Sequence, residues 1–152
     1  MKLSENSNFD WREFVHPTLW NSLGFPRVQW FVSPFMVNYA ALLREVLDAP
    51  VVINNWHTGG KHVGRGYRPP NYRPTGGALF SQHYLGKALD VSSPDKTPEQ
   101  IVQTIHDHKG RFLAVGLTTL EHLGDTPGWV HGDCRERIAG IHPENDFLVV
   151  RA

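Results

Sequence analysis

The sequence predicts an α+β fold in which a single domain, residues 1–152, carries a largely antiparallel central sheet flanked by two main helices. Its 152 residues suit one domain with a core of its own. Two segments show the capped, amphipathic pattern of helices, and several short segments rich in β-branched residues show the pattern of strands. Helices and strands are partly segregated along the chain, which favours an antiparallel sheet.

The composition limits the classes of partner. Lys+Arg and Asp+Glu both total 15, so the net charge is zero with His neutral, which argues against a surface that binds nucleic acid or an anionic membrane, since such binding usually needs concentrated positive charge. Its one cysteine, Cys134, excludes an internal disulfide and a cysteine-based zinc site. The first residues lack the apolar region of a signal peptide, and no segment reaches the ~18 apolar residues of a membrane span. We therefore expect a chain made in the cytoplasm and exported, if at all, by another route.

The first half of the chain contains one clear helix. Residues 1–30 are polar and then aromatic, and we expect them to wrap over the core, with a short helix near Trp11 capped by Asn8 or Asp10. Ser33–Asp48 has a good N-cap, a proline at the first helical position and a broad apolar face, which together predict a helix. Residues 50–55 are β-branched and bounded by Pro and Asn, which predicts a short buried strand.

The second half predicts a loop, a helix and a series of strands. Residues 56–80 are too rich in Gly and Pro for regular structure, and a loop of this length inside one domain favours a substrate-facing role. Thr97 begins a capping box with Pro at the first helical position, which predicts a helix ending at Lys109-Gly110. Four strands are expected after it, at residues 112–116, 117–121, 129–133 and 147–151.

Ser81–Asp90 is the stretch that most directly indicates chemistry. Gly86 interrupts it, and Ala88–Ser93 has the pattern of a buried strand ending in turn-forming residues. If the chain turns at Gly86, His83 and Asp90 converge. A neutral imidazole nitrogen and a carboxylate oxygen are both ordinary zinc ligands.

A predicted hairpin supplies a third ligand and a base. Residues 117–121 and 129–133 flank a turn-rich run, and a hairpin centred near Thr126 places Glu121 opposite His131 on one face. Three protein ligands, His83, Asp90 and His131, leave one tetrahedral position for water, which is the pattern of a catalytic zinc. Glu121 could then act as general base, with Asp125 as the fallback. Taken singly, each of these residues is also compatible with ordinary packing or backbone hydrogen bonding.

The motif Ser81-x-His83-x-x-Gly86-x-Ala88-x-Asp90, followed by Trp129-Val-His131, resembles that of the LAS-type zinc peptidases. These include D-Ala-D-Ala carboxypeptidases and the L-Ala-D-Glu endopeptidases of phage lysins, and the hedgehog signalling domain shares their fold. Weaker similarity to the carboxypeptidase-like branch spans residues 8–135.

The resemblance assigns roles to individual residues. It implies that His83, Asp90 and His131 bind Zn²⁺, that Arg68 binds a substrate carboxylate or stabilises transition-state charge, and that Ser81 and Trp129 line the site. Many relatives carry the catalytic acid at the position of Gly128, whereas the branch with a glutamate on the preceding strand matches Glu121. This sequence also has an insertion, residues 54–65, which contains His57 and His62.

The resemblance therefore implies a zinc metallopeptidase that hydrolyses an amide bond in peptidoglycan peptides. By analogy it would act on the cell wall after lysis or as a virion component, and its partners would be the wall peptide and possibly virion subunits. The alternative is a virion structural or wall-binding module that keeps the fold with little or no activity. The Gly/Pro-rich loop and the aromatic N-terminus would then be interfaces.

Overall fold

A four-stranded sheet carries three of the predicted site residues, Asp90, Glu121 and His131. The computed structural model describes residues 8–74 and 77–151. The strands are β1 (Ala88–Val91), β2 (Thr119–Glu121), β3 (Val130–Asp133) and β4 (Leu148–Val150), and their order across the sheet is β1–β3–β2–β4. The α+β class predicted from the sequence is confirmed.

Two of the three pairings in the sheet are antiparallel, and the third is parallel. β3 pairs antiparallel with both β1 and β2, whereas β4 returns to lie parallel to β2. The register between β2 and β3 places Thr119 opposite Asp133 and Leu120 opposite Gly132. This is the predicted hairpin register, and Glu121 Oε2 lies 3.9 Å from His131 Nδ1.

The described residues contain four α-helices: α1 (Pro17–Leu23), α2 (Pro34–Leu47), α3 (Pro98–Asp107) and α4 (Lys109–Ala114). Helix α2 buries one face that includes Met36, Tyr39 and Leu43, as its apolar pattern predicted. The capping box at Thr97 is present, since the Thr97 hydroxyl accepts from the Gln100 N–H and the Gln100 side chain accepts from the Thr97 N–H. Short 3-10 helices occupy Trp11–Glu13, Arg27–Phe31, Trp56–Thr58 and Gln82–Leu85.

Two of the predicted strands are wrong. Residues 112–116 lie mainly in α4, because Lys109-Gly110 does not stop the helical path and the chain resumes a helix directly after His108. A short apolar run is compatible with either a strand or a buried helix turn, and here Phe112 is buried from a helix. Residues 50–55 form only one isolated bridge, between Val52 and Ser92, rather than a strand.

The N-terminal segment is partly buried against the core. Phe9, Phe14 and Val28 are buried, but Trp30 is 80% exposed. Asp10 caps the first 3-10 helix through a capping box with Glu13. Residues 1–7 of the predicted wrap, and Thr75 and Gly76 of the Gly/Pro-rich loop, lie outside the described residues.

None of the helices within residues 8–74 and 77–151 is long and apolar enough to cross a membrane.

Candidate metal centre

A sharp turn at Gly86 brings the two halves of the Ser81–Asp90 motif together. The Ser81 hydroxyl accepts a hydrogen bond from the His83 N–H at the start of the 3-10 helix Gln82–Leu85. Gly86 ends that helix with φ 66°, and a Cβ there would overlap the Phe31 carbonyl oxygen. Only glycine satisfies both conditions without strain. The chain then enters β1, where Asp90 lies directly opposite His131 of β3.

Three potential ligand atoms converge at this point. His83 Nε2 lies 3.2 Å from Asp90 Oδ1 and 3.3 Å from His131 Nδ1. His131 Nδ1 lies 2.8 Å from the same Asp90 oxygen. All three residues are buried, and they form a group of His and acidic side chains able to hold a metal ion.

The spacing of these atoms fits zinc. Nitrogen and oxygen ligands about 2.0–2.2 Å from a tetrahedral Zn²⁺ are about 3.3–3.5 Å apart. The observed separations of 2.8 to 3.3 Å require only a small outward adjustment of the carboxylate to reach this range. Two imidazoles and one carboxylate also form a donor set of the kind seen in catalytic zinc sites.

Hydrogen bonds outside the cluster orient His83 and Asp90. His83 Nδ1 lies 2.8 Å from the Gly66 carbonyl oxygen, which can only accept, so this nitrogen carries the proton and Nε2 presents its lone pair to the cluster. The second oxygen of Asp90 accepts from Arg68 Nη2 at 2.9 Å. Both contacts direct the remaining donor atom towards the metal position.

A buried carboxylate orients His131 from the other side. Asp133 Oδ2 lies 3.4 Å from His131 Nε2, and Asp133 is itself fully buried. Arg135 donates to both Asp133 oxygens from Nε, at 2.9 and 3.1 Å. No role was predicted for Asp133, which lies two residues after His131 in β3. The alternation of side chains along β3 was the signal that links them.

The electrostatics of the metal-free cluster favour a cation at its centre. Burial opposes ionisation of Asp90, but the neighbouring His83 and His131 together hold its carboxyl pKa well below the usual range. Burial lowers the pKa of His83. Burial acts in the same direction on His131, but hydrogen bonds to Asp133 and Asp90 and their negative charges outweigh it and raise its pKa to about 9. Two carboxylates around two imidazoles thus create a site that stabilises positive charge.

Glu121 lies at the edge of this cluster. Its Oε2 is 3.9 Å from His131 Nδ1, and its side chain is 18% exposed. Partial burial raises the pKa of the Glu121 carboxyl, and the nearby Asp90 and Asp125 charges add to this effect. Asp125, the alternative base, instead lies 3.7 Å from Arg151 Nη1. Of the two candidate bases, Glu121 is therefore the one that lies beside the cluster.

A cleft of about 430 Å³ opens beside the cluster and is lined in part by Asp90, Arg68 and Trp129. Arg68 reaches the site, but its Nε donates to the Gly64 carbonyl and its Nη2 to Asp90, so in this structure it supports a ligand. Among the described residues, those lining the cleft do not include Ser81, whose hydroxyl caps the helix of His83. His62 from the insertion also lines the cleft.

Comparison with known proteins identifies the family. The model of the Peptidase M15 family matches residues 8–123, which is more than half of the chain. This range contains His83, Asp90 and Glu121 and ends before His131, which the antiparallel pairing of β1 and β3 brings to the cluster. No curated protein and no solved structure matches the chain. The chain belongs to the Peptidase M15 family of zinc metallopeptidases.

Proposed function

We propose that this protein is a zinc-dependent peptidase that hydrolyses an amide bond in peptidoglycan peptides. One observation carries the proposal: the buried cluster of His83, Asp90 and His131 adjoins a cleft that Asp90 lines, and Glu121 Oε2 lies 3.9 Å from His131 Nδ1. A site built only for structural stability would be closed by a fourth protein ligand.

The roles of the protein's own residues follow from their positions. His83 Nε2, Asp90 Oδ1 and His131 Nδ1 would hold the ion, and Gly66, Arg68 and Asp133 keep those atoms directed inwards. Zinc, when bound, supplies Lewis-acid activation of water and of the substrate carbonyl.

Glu121 is placed to move the proton. The attacking water loses a proton to the Glu121 carboxylate as its oxygen forms a bond to the amide carbon. The carbon–nitrogen bond then breaks, and Glu121 returns the proton to the departing amine nitrogen. A carboxyl whose pKa is raised by partial burial is a stronger proton acceptor than an ordinary carboxylate, which suits it to take the proton from water.

The choice of peptidoglycan as substrate is supported by the resemblance of the Ser81–Asp90 and Trp129–His131 motifs to the LAS-type peptidases and by membership of the Peptidase M15 family. The bond would be that cut by a D-Ala-D-Ala carboxypeptidase or by an L,D-endopeptidase. Action on the cell wall after lysis, or from within a virion, accords with such an activity.

The test is release of amino groups and of D-Ala from purified peptidoglycan. Zinc-loaded wild type is expected to release them, and Glu121→Gln to do so about 10²–10⁴ times more slowly while keeping its zinc. Glu99→Gln is a matched control, because Glu99 lies in the first turn of α3, outside the cleft. No zinc-dependent release by wild type, or undiminished release by Glu121→Gln, would contradict the proposal. The first of these outcomes would favour the structural or wall-binding alternative.

A further inference from the structure

The residue 54–65 insertion, which we call the wall loop, forms one side of the cleft. We propose that Lys61 of this loop binds a carboxylate of the peptide substrate and so selects acidic peptides. This inference rests on the proposed peptidase function for its substrate and on the geometry of the wall loop for its site.

Two asparagine side chains fasten the ends of the wall loop. The Asn54 side-chain oxygen accepts from the Arg65 N–H at 2.8 Å, and its amide donates to the Val15 carbonyl at 3.3 Å. The Asn55 side-chain oxygen accepts from the His62 N–H at 2.9 Å, and the backbone N–H of Asn55 donates to the His62 carbonyl at 3.1 Å. The loop is thus a hydrogen-bonded unit that presents Lys61 at a defined place.

The wall loop is also joined to a metal ligand through its backbone. The Arg65 carbonyl accepts from the Asp90 N–H at 2.8 Å. A group bound near Lys61 therefore lies along the same continuous cleft that Asp90 lines.

The charges that line the cleft are mainly positive. Lys61, Arg65 and Arg68 line it, against a single acidic residue, Asp90. The Arg68 guanidinium is engaged by Asp90, and Arg65 Nη1 donates to the Ser92 hydroxyl at 2.6 Å. None of the ion pairs within residues 8–74 and 77–151 involves Lys61, and its side chain is exposed. Its ammonium group is therefore an exposed cation available to a ligand, whereas the half-buried Arg65, which also takes part in none of these ion pairs, is bonded to the Ser92 hydroxyl.

Uncharged residues complete the lining of the cleft. Pro127, Gly128 and Trp129 line it, and the indole of Trp129 is half-buried. A peptide in the cleft would contact the indole with its apolar part and Lys61 with an acidic group. A flexible ammonium accommodates a carboxylate in several orientations, so the preference would be for charge rather than for one rigid geometry.

Calorimetric binding to the zinc-loaded full chain tests the inference. The probes are N-acetyl-L-alanyl-D-glutamic acid and its diamide. In the diamide both carboxylates are replaced by uncharged carboxamides of similar shape. Wild type is expected to prefer the diacid, and Lys61→Ala to weaken diacid binding about tenfold while leaving diamide binding unchanged. Lys61→Arg is expected to restore most of the loss. Lys109→Ala is the control, because Lys109 lies in α4 and pairs with Asp146 at 3.3 Å.

The outcomes separate this inference from the proposed function. Unchanged diacid binding by Lys61→Ala, or equal weakening of both probes, would overturn the role of Lys61 even if wild type hydrolyses peptidoglycan. Absence of diacid binding by wild type would overturn it as well. Charge-selective binding that depends on Lys61, in a protein that does not hydrolyse peptidoglycan, would support the inference and reject the peptidase function.

Discussion

The ligand cradle (residues 81–90 and 130–133) and the wall loop (residues 54–65) both contribute to the lining of the cleft but are built differently. In the cradle the carboxylates of Asp90 and Asp133 are buried, and each pairs with an arginine, in the Asp90–Arg68 and Asp133–Arg135 pairs. In the wall loop the framework is made of backbone and asparagine hydrogen bonds, and Lys61 is left exposed. The contrast indicates that the cradle fixes the chemistry, while the wall loop can change with the substrate.

The largest expected effect on stability comes from replacing Gly86, the glycine at the turn of the cradle. Gly86→Ala combines a left-handed backbone with a Cβ that would overlap the Phe31 carbonyl oxygen, so we expect a loss of roughly 2–3 kcal/mol in the free energy of unfolding. Gly110→Ala in α4 is the control: its Cβ would meet no atom within 4 Å, and a gain of about 0.5–1 kcal/mol is expected. Chemical denaturation of both variants measures the difference. Equal stabilities would show that the turn is not constrained.

The next effect concerns the partner of His131. Asp133→Asn keeps the shape of the side chain but removes the charge that orients the imidazole through Nε2. We expect about 10- to 100-fold weaker zinc binding, measured by competition with a chelator. Lys61→Ala, in the wall loop, is expected to leave zinc affinity unchanged. Equal loss of zinc affinity in both variants would contradict the inference that the cradle, and not the wall loop, binds the metal.

The smallest effect is a pH dependence at the base of the wall loop. The Glu13 carbonyl accepts from the Asn54 N–H at 3.2 Å, and burial raises the pKa of the Glu13 carboxyl from 4.5 to about 7. The pKa of Glu13 is higher in the folded chain than in the unfolded chain. Glu13 therefore contributes stability below about pH 4.5, and that contribution is lost as the pH rises to about 7.

Glu13→Gln removes this titration. Relative to the variant, wild type is expected to lose roughly 1–2 kcal/mol of unfolding free energy between those two pH values, after allowance for solvent screening. Denaturation at both pH values measures it. A difference that does not change with pH would mean that the Glu13 carboxyl keeps an ordinary pKa in the folded protein.

The parts of the site that could be predicted are those set by local rules. A glycine between His83 and Asp90 indicates a turn, and a turn-rich run between two alternating segments fixes the hairpin register that brings Glu121 towards His131. The capped helices α2 and α3 carry their own start signals, so their boundaries were predicted closely.

The parts that were missed depend on distant residues. The sequence around residues 148–150 does not indicate that this strand will lie parallel to β2. The apolar run at 112–116 is compatible with either a helix or a strand. The pairing of Arg68 with Asp90 joins residues 22 positions apart in the sequence, and the resemblance to the LAS-type peptidases had implied a substrate contact for Arg68 instead. The exposure of Trp30 likewise follows from tertiary packing, not from its aromatic character.

Zinc content, measured on the purified wild type and on His83→Ala, tests the central claim most directly. His83 is buried and contributes one of the three ligand atoms, so its removal leaves two, too few to retain zinc against dialysis. Wild type is expected to hold about one zinc per chain and the folded variant almost none. Wild type without zinc after loading, or a His83→Ala variant that keeps it, would contradict the account.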